Sequence, residues 1–268
     1  DRVKIIYRVV AIIECDEPYI RKRIVLDPFT SGSGFIINPK GYILTAAHVV
    51  DVEKEIEALN KSLIELFEEE KGYHDCNVLI HELTMKAFIE ERDMLPAKLI
   101  RFDKDADVAL LKVESTNLSW ISLGNSEELR YGEEVWALGY PMPEAGEGLT
   151  AVSCIVHGFR ERGIVKVIQL KGDIYPGNSG GPLINSKGEA VGIITERWFY
   201  PTRPPKLQPE FSIAISINTA KQIIPSGIIS DKTLYNETFT QPSYKINIID
   251  FHVSPSNIRI GESATIVS

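Results

Sequence analysis

Cysteine is scarce in this chain. Cys15, Cys76 and Cys154 are scattered through 268 residues, and no two form a CxxC pair. A zinc site therefore lacks its usual ligand spacing. Three thiols allow at most one intrachain disulfide, and reduced core cysteines would serve equally well. Long apolar runs are also missing. Nothing approaches the roughly 20 residues of a membrane-crossing helix, so no membrane span is expected. Positive charge is not in surplus either: 37 acidic against 29 basic residues give a formal net charge of -8. That balance argues against nucleic acid or an anionic membrane as the main partner. The composition itself, 44% hydrophobic and 25% charged, is that of an ordinary globular protein. It suffices for one large domain or two small ones. The chain opens on Asp1 rather than Met, as a processed form would, and a leader or anchor would lie outside it.

Short β-strands separated by turns account for most of the pattern. Ile5–Ile13, Phe35–Ile37, Tyr42–Leu44, Ala97–Arg101, Val108–Val113, Glu134–Gly139, Thr150–His157, Val165–Leu170, Ala190–Thr195 and Phe211–Ile217 are the candidates. Many strands at this spacing predict a barrel or sandwich. "FIINPKGYIL" and "PLINSKGEAVGI" echo each other as strand, Asn-x-Lys-Gly turn, strand. In the segment Asp51–Gly72, Val52, Ile56, Leu59, Leu63, Leu66 and Phe67 recur at three- or four-residue steps. That spacing predicts an amphipathic helix ended by Gly72. Its acidic residues, Glu53, Glu55, Glu57, Glu65 and Glu68–Glu70, fit a solvated face better than a ligand site. Leu83–Arg92 reads as a second helix. The four prolines of "YPTRPPKLQPE", Tyr200–Glu210, mark an exposed loop.

Three separated stretches carry chemistry. In "GDIYPGNSGGPLIN", Ser179 lies among glycines that permit a tight backbone able to turn N–H groups towards one point. A serine hydroxyl is a weak nucleophile unless an imidazole takes its proton and a carboxylate orients that imidazole. His48, after the strand and small residues of "YILTAAHVV", is a candidate base. His74, His81, His157 and His252 have no comparable setting. Asp107, directly before the apolar strand of "DKDADVALLKV", is a candidate carboxylate, with Asp103 and Asp105 as rivals.

Together, "GSGFIINPKGYILTAAHVV", "DKDADVALLKV" and "YPGNSGGPLIN" resemble the trypsin-like serine peptidases of the HtrA (Deg) type, in the chain order His, Asp, Ser. The match runs from about Val9 to Ile224, apart from the helical insertion. The resemblance implies an all-β fold of two packed antiparallel β-barrels, of the chymotrypsin type. The first would span 1–118 with a helical insertion at about 51–92, and the second 119–224. It implies catalytic His48, Asp107 and Ser179, and an oxyanion loop of Gly177, Asn178 and Ser179 whose donors are the N–H groups of Gly177 and Ser179. Substrate is expected as an extended strand along Thr195, Glu196 and Arg197. The implied activity is serine endopeptidase through an acyl-enzyme, on protein or peptide substrates, without metal or organic cofactor. The rivals are a catalytically latent binding or chaperone-like module, and an esterase. The kinship also suggests an extracytoplasmic location.

Several positions depart from the relatives the motifs evoke. Secreted animal trypsins carry a cysteine after the catalytic His, where this chain has Val49. They also carry an aspartate before the serine that pairs with a newly cleaved amino terminus. Here that residue is Asn178, so something else must order the oxyanion loop. Asp173 lies where trypsins form the floor of the S1 pocket. A carboxylate there would attract Lys or Arg at P1; a solvent-exposed Asp173 would leave the aliphatic preference of HtrA-type enzymes. Residues 225–268 lack the pattern of a PDZ domain and read as the opening of an immunoglobulin-like β-sandwich, continued in a longer protein or packed on the peptidase. The insertion is a candidate for shaping the primed side of the cleft or a subunit contact, and exposed strand edges leave a homo-oligomer open.

Overall fold

A computed structural model describes residues 2–89, 94–140, 149–195, 211–225, 227–228 and 265–267. The strands in chain order are β1 Arg2–Glu17, β2 Tyr19–Asn38, β3 Tyr42–Thr45, β4 His74–Ile89, β5 Met94–Asp103, β6 Val108–Val113, β7 Glu134–Gly139, β8 Thr150–Arg162, β9 Val165–Lys171, β10 Pro182–Ile184, β11 Ala190–Thr195, β12 Ser212–Ser216 and β13 Thr265–Val267. Three helices, α1 Ala47–Val50, α2 Glu53–Glu65 and α3 Ile217–Lys221, interrupt them. The strands form two sheets, one of them closed into a barrel. This is the mostly β, chymotrypsin-type class that the motifs imply.

The chain divides into two compact units, one of Asp1–Ile5, Ser31–Asp51 and Lys86–Tyr235, the other of Ile6–Thr30, Val52–Met85 and Asn236–Ser268. In the larger unit, the end of β2 pairs with β3 (Phe35 opposite Leu44), β3 with β6 (Leu44 opposite Leu110), and β6 with β5 (Leu111 opposite Leu99). Leu44, Leu110 and Leu111 are fully buried along this run. Strands β7 to β12 close a separate barrel in the order β10-β11-β12-β9-β8-β7, all antiparallel. Val135, Ala137, Ile168, Leu170 and Val191 fill it. Cys154 shares that core as a free cysteine. Burial pushes its thiol up to about 11, so it stays protonated and unreactive near neutral pH.

The echoed hairpins fold alike. Asn38 Oδ1 accepts from the Lys40 N–H and Asn38 O from the Gly41 N–H. Asn185 Oδ1 accepts from the Lys187 N–H and Asn185 O from the Gly188 N–H. An Asn side chain that mimics the backbone starts both turns. Each hairpin then carries a bulge, between Ile36 and Asn38 and between Leu183 and Ile184.

In the smaller unit, helix α2 continues into a wider turn, Leu66–Glu70, before Gly72 at φ 70. Leu59, Leu63 and Phe67 turn inward onto Val9, Ile13 and Ile24. Each such side chain contributes about 1.5–3 kcal/mol by leaving water. Cys15 on β1 and Cys76 on β4 form a disulfide across 61 residues of sequence. The helix expected at Leu83–Arg92 is not formed over the described part: residues 83–89 continue β4, and Lys86, Ala87 and Phe88 pair with Pro96, Leu95 and Met94. Buried Ala87 and Ile89 are two apart, the period of a strand. A short apolar run leaves that choice open, and strand pairing decided it. The proline-rich segment Tyr200–Glu210 lies outside the described residues. So does most of the 225–268 tail, apart from its first residues and β13, whose backbone pairs antiparallel with Val25–Arg23 of β2. Among the described residues no helix is long and apolar enough to cross a membrane.

Candidate active site

All the described site residues belong to the larger unit. His48 sits in α1, a single turn that begins straight after β3. The small, fully buried Ala46 and Ala47 set that turn against the sheet. Asp107 precedes β6. Asp103 Oδ1 accepts from the Asp105 and Ala106 N–H groups, which curls the chain just ahead of it. Asp107 itself takes φ 55, a left-handed conformation that Asp tolerates better than most residues. Thus Asp103, a rival as the orienting acid, is occupied as a turn former, and Asp105 is exposed.

The Asp107 carboxylate is buried at 2% exposure. Its Oδ1 accepts from the His48 backbone N–H at 2.9 Å. His48 Nδ1 lies 3.1 Å from Oδ1 and 2.9 Å from Oδ2. A carboxylate oxygen accepts here, so Nδ1 carries the proton and Nε2 keeps its lone pair. The Thr195 hydroxyl, at the end of β11, donates to Oδ2 at 2.5 Å. Lys104 pairs with Asp51 at 2.7 Å, tying the turn before Asp107 to the end of the His48 turn. Lys104 is half-exposed, which limits that pair to about 0–1 kcal/mol.

Ser179 is buried at 6% exposure, and its Oγ has no hydrogen-bond partner among the described residues. No hydrogen bond between Ser179 Oγ and His48 is therefore made in this conformation; in unliganded catalytic sites such bonds tighten on substrate binding. Around it, the Asn178 N–H donates to Tyr175 O at 3.1 Å, closing a turn with Pro176 second and Gly177 third. Gly177 stands at φ 95, which this turn type requires and which a side chain would oppose. Asn178 thereby has no N–H to offer. The N–H groups of Gly177 and Ser179 have no acceptor among the described residues. Beyond Ser179, Gly180 N–H donates to Ile194 O and Ile194 N–H to Gly181 O, sewing the loop to β11. A Cβ on Gly180 would lie 2.2 Å from both Ser33 O and Thr45 Oγ1, so only glycine fits there.

The expected substrate strand is partly described. Thr195 is buried, and its hydroxyl donates to Asp107. Glu196 and Arg197 lie outside the described residues. Asp173 is exposed, next to Ile174, which packs on the barrel core. Two contributors escaped the sequence reading. Thr195 gave no signal as a partner of Asp107, because that contact needs β11 beside the start of β6. Ser33, between two glycines in "GSGF", did give one: a small polar residue in a tight, buried backbone. Among the described residues no cluster of His, Cys, Asp or Glu could hold a metal ion.

The chain belongs to the trypsin-like peptidases: the family model for a trypsin-like peptidase domain matches residues 32–193. Among its relatives are proteins named probable periplasmic serine endoprotease DegP-like. That of Pseudomonas fulva is 36% identical over 201 residues, covering 74% of this chain and 36% of the relative. That of Ectopseudomonas mendocina is 40% identical over 164 residues, covering 60% and 28%. That of Hahella chejuensis is 37% identical over 181 residues, covering 66% and 32%. The HtrA (Deg) resemblance of the motifs thus extends over most of the chain, which spans about a third of the length of these relatives.

Proposed function

We propose that this chain is a serine endopeptidase working through an acyl-enzyme. The observation that carries the reading is the Asp107 carboxylate on His48 Nδ1, which frees Nε2 as a base in the same unit as the glycine-flanked Ser179. Ser179 Oγ attacks the scissile carbonyl carbon while its proton passes to His48 Nε2. Asp107 stabilises the imidazolium that results. The carbonyl oxygen gains the displaced electron pair and is met by the Gly177 and Ser179 N–H groups, each worth about 3–4 kcal/mol in the transition state. The C–N bond then breaks, with the His48 proton going to the leaving amine. Water, activated by the same Nε2, releases the acid product and restores Ser179.

The unpartnered Ser179 Oγ favours a second reading, a resting form latent until substrate tightens the site. The disulfide and the periplasmic relatives support an extracytoplasmic location. Fluorophosphonate labelling of the purified chain beside Ser179→Ala tests the activity. Labelling of the wild type alone is expected, first without casein and then with casein added as a substrate to relieve latency. Absence of labelling in both conditions removes the enzyme reading and leaves the latent binding module.

A further inference from the structure

Animal trypsins order their oxyanion loop with an ammonium–carboxylate pair, and Asn178 has no charge to make one. Its buried amide supplies little else: Nδ2 has no partner among the described residues, and Oδ1 accepts only at 3.4 Å, from Thr150 Oγ1. Ser33, 1% exposed, grips the same loop from both sides of Asn178. Its Oγ donates to Gly177 O at 2.7 Å and accepts from the Tyr140 N–H at 2.8 Å. A backbone N–H can only donate and a carbonyl only accept, so the direction of that chain is fixed. The Ser33 N–H donates to Ser179 O at 2.8 Å, and Ser33 O accepts from Thr45 Oγ1 at 2.7 Å.

The consequence is geometric. A peptide plane turns as a unit, because its C–N bond resists rotation. Pinning the carbonyls of Gly177 and Ser179 fixes the Gly177–Asn178 and Ser179–Gly180 planes. The planes that carry the Gly177 and Ser179 N–H groups adjoin them: Gly181 N–H donating to Asn178 O at 2.9 Å holds Asn178–Ser179, and the turn closed by the Asn178 N–H sets Pro176–Gly177. What remains unengaged is the pair of N–H groups, of Gly177 and Ser179, on which catalysis depends. Little space is left for another arrangement: a Cβ on Gly139 would lie 2.6 Å from Asn178 Oδ1 and 2.9 Å from Ser33 Oγ.

We propose that Ser33 is the positioning residue of the oxyanion loop, its hydroxyl bridging Tyr140 N–H to Gly177 O in place of an ion pair. The proposal rests on the serine peptidase reading. Ser33 touches no reacting atom; it acts through the Gly177 and Ser179 donors. Loss of its hydroxyl therefore weakens transition-state binding and leaves ground-state substrate binding unchanged.

The test compares the full chain with Ser33→Ala on a fluorogenic casein-derived peptide. kcat is expected to fall about tenfold or more, short of the 10²–10³ for outright loss of an oxyanion donor. KM should stay within about twofold, the pattern of an interaction made in the transition state. Affinity for a peptide boronic acid, whose tetrahedral adduct occupies the oxyanion site, should fall by the same factor as kcat/KM. A folded Ser33→Ala with wild-type kcat and boronate affinity overturns the proposal, whatever its Tm. Ser33→Cys keeps the side-chain length with a weak donor, and covers the case in which alanine does not fold. It should show the same KM-neutral loss. If neither variant folds, Ser33 is a folding residue and the proposal falls. A wild type that fluorophosphonate never labels sinks the peptidase reading, whereas an active wild type with equally active Ser33 variants sinks this one alone.

Discussion

Replacing Thr195 by valine would test whether Asp107 is held by more than His48. Valine keeps the shape of threonine and removes only the hydroxyl that donates to Asp107 Oδ2. Asp107 is 2% exposed, so water cannot readily replace that donor. A hydrogen bond to a buried charged group is worth about 1.5–3 kcal/mol. At about 2–4 °C per kcal/mol for a domain of this size, the variant should melt about 3–12 °C lower. The rate should suffer less. Asp107 keeps its contacts to the His48 backbone N–H and Nδ1, so the base stays oriented. A fall of kcat/KM beyond about tenfold, equivalent to 1.36 kcal/mol, is not expected. Thr195→Ser is the control: it keeps the hydroxyl and loses one methyl, about 0.8 kcal/mol. Thermal melts and peptide turnover on both variants would decide. Equal destabilisation by serine and valine, or no destabilisation by valine, would refute the assignment and leave Thr195 as a packing residue.

Other outcomes follow from the same geometry. The Cys15–Cys76 disulfide closes 61 residues of sequence, for which loop-entropy arithmetic gives about 4 kcal/mol. The Cys15→Ser, Cys76→Ser double variant should melt at the lower temperature of the reduced wild type and show no further response to reductant. A P1-diverse peptide library addresses Asp173. Its carboxylate is exposed, so charge pairing with Lys or Arg should be worth about 0.2–1 kcal/mol, a several-fold preference at most. Asp173→Asn should erase that preference; one of a hundredfold or more would mean that substrate buries the carboxylate.

Much of the fold was legible because its signals are local. The strands Val108–Val113, Glu134–Gly139 and Ala190–Thr195 begin and end where the alternation and turn residues put them. The Asn-x-Lys-Gly turns carry their own chemistry, and the step of Leu59, Leu63 and Phe67 marks a helix wherever it lies. Residues 83–89 misled because a short apolar run fits either period. Only their pairing with β5 makes them strand.

The division at the site has the same cause. By itself, the sequence determined the class of protein, through three motifs whose order and spacing leave few other readings. It also determined the glycine-rich backbone around Ser179 and the absence of a charge at Asn178. Tertiary structure alone decided what those residues meet. It set Asp107, which the resemblance already favoured over Asp103 and Asp105, against His48 and used Asp103 in the turn before it. It set the Thr195 hydroxyl on the Asp107 carboxylate and drew Ser33 to the loop 144 residues away. Motifs record which groups a chain has; a hydrogen bond between distant segments depends on how the strands between them pair, and no local pattern encodes that.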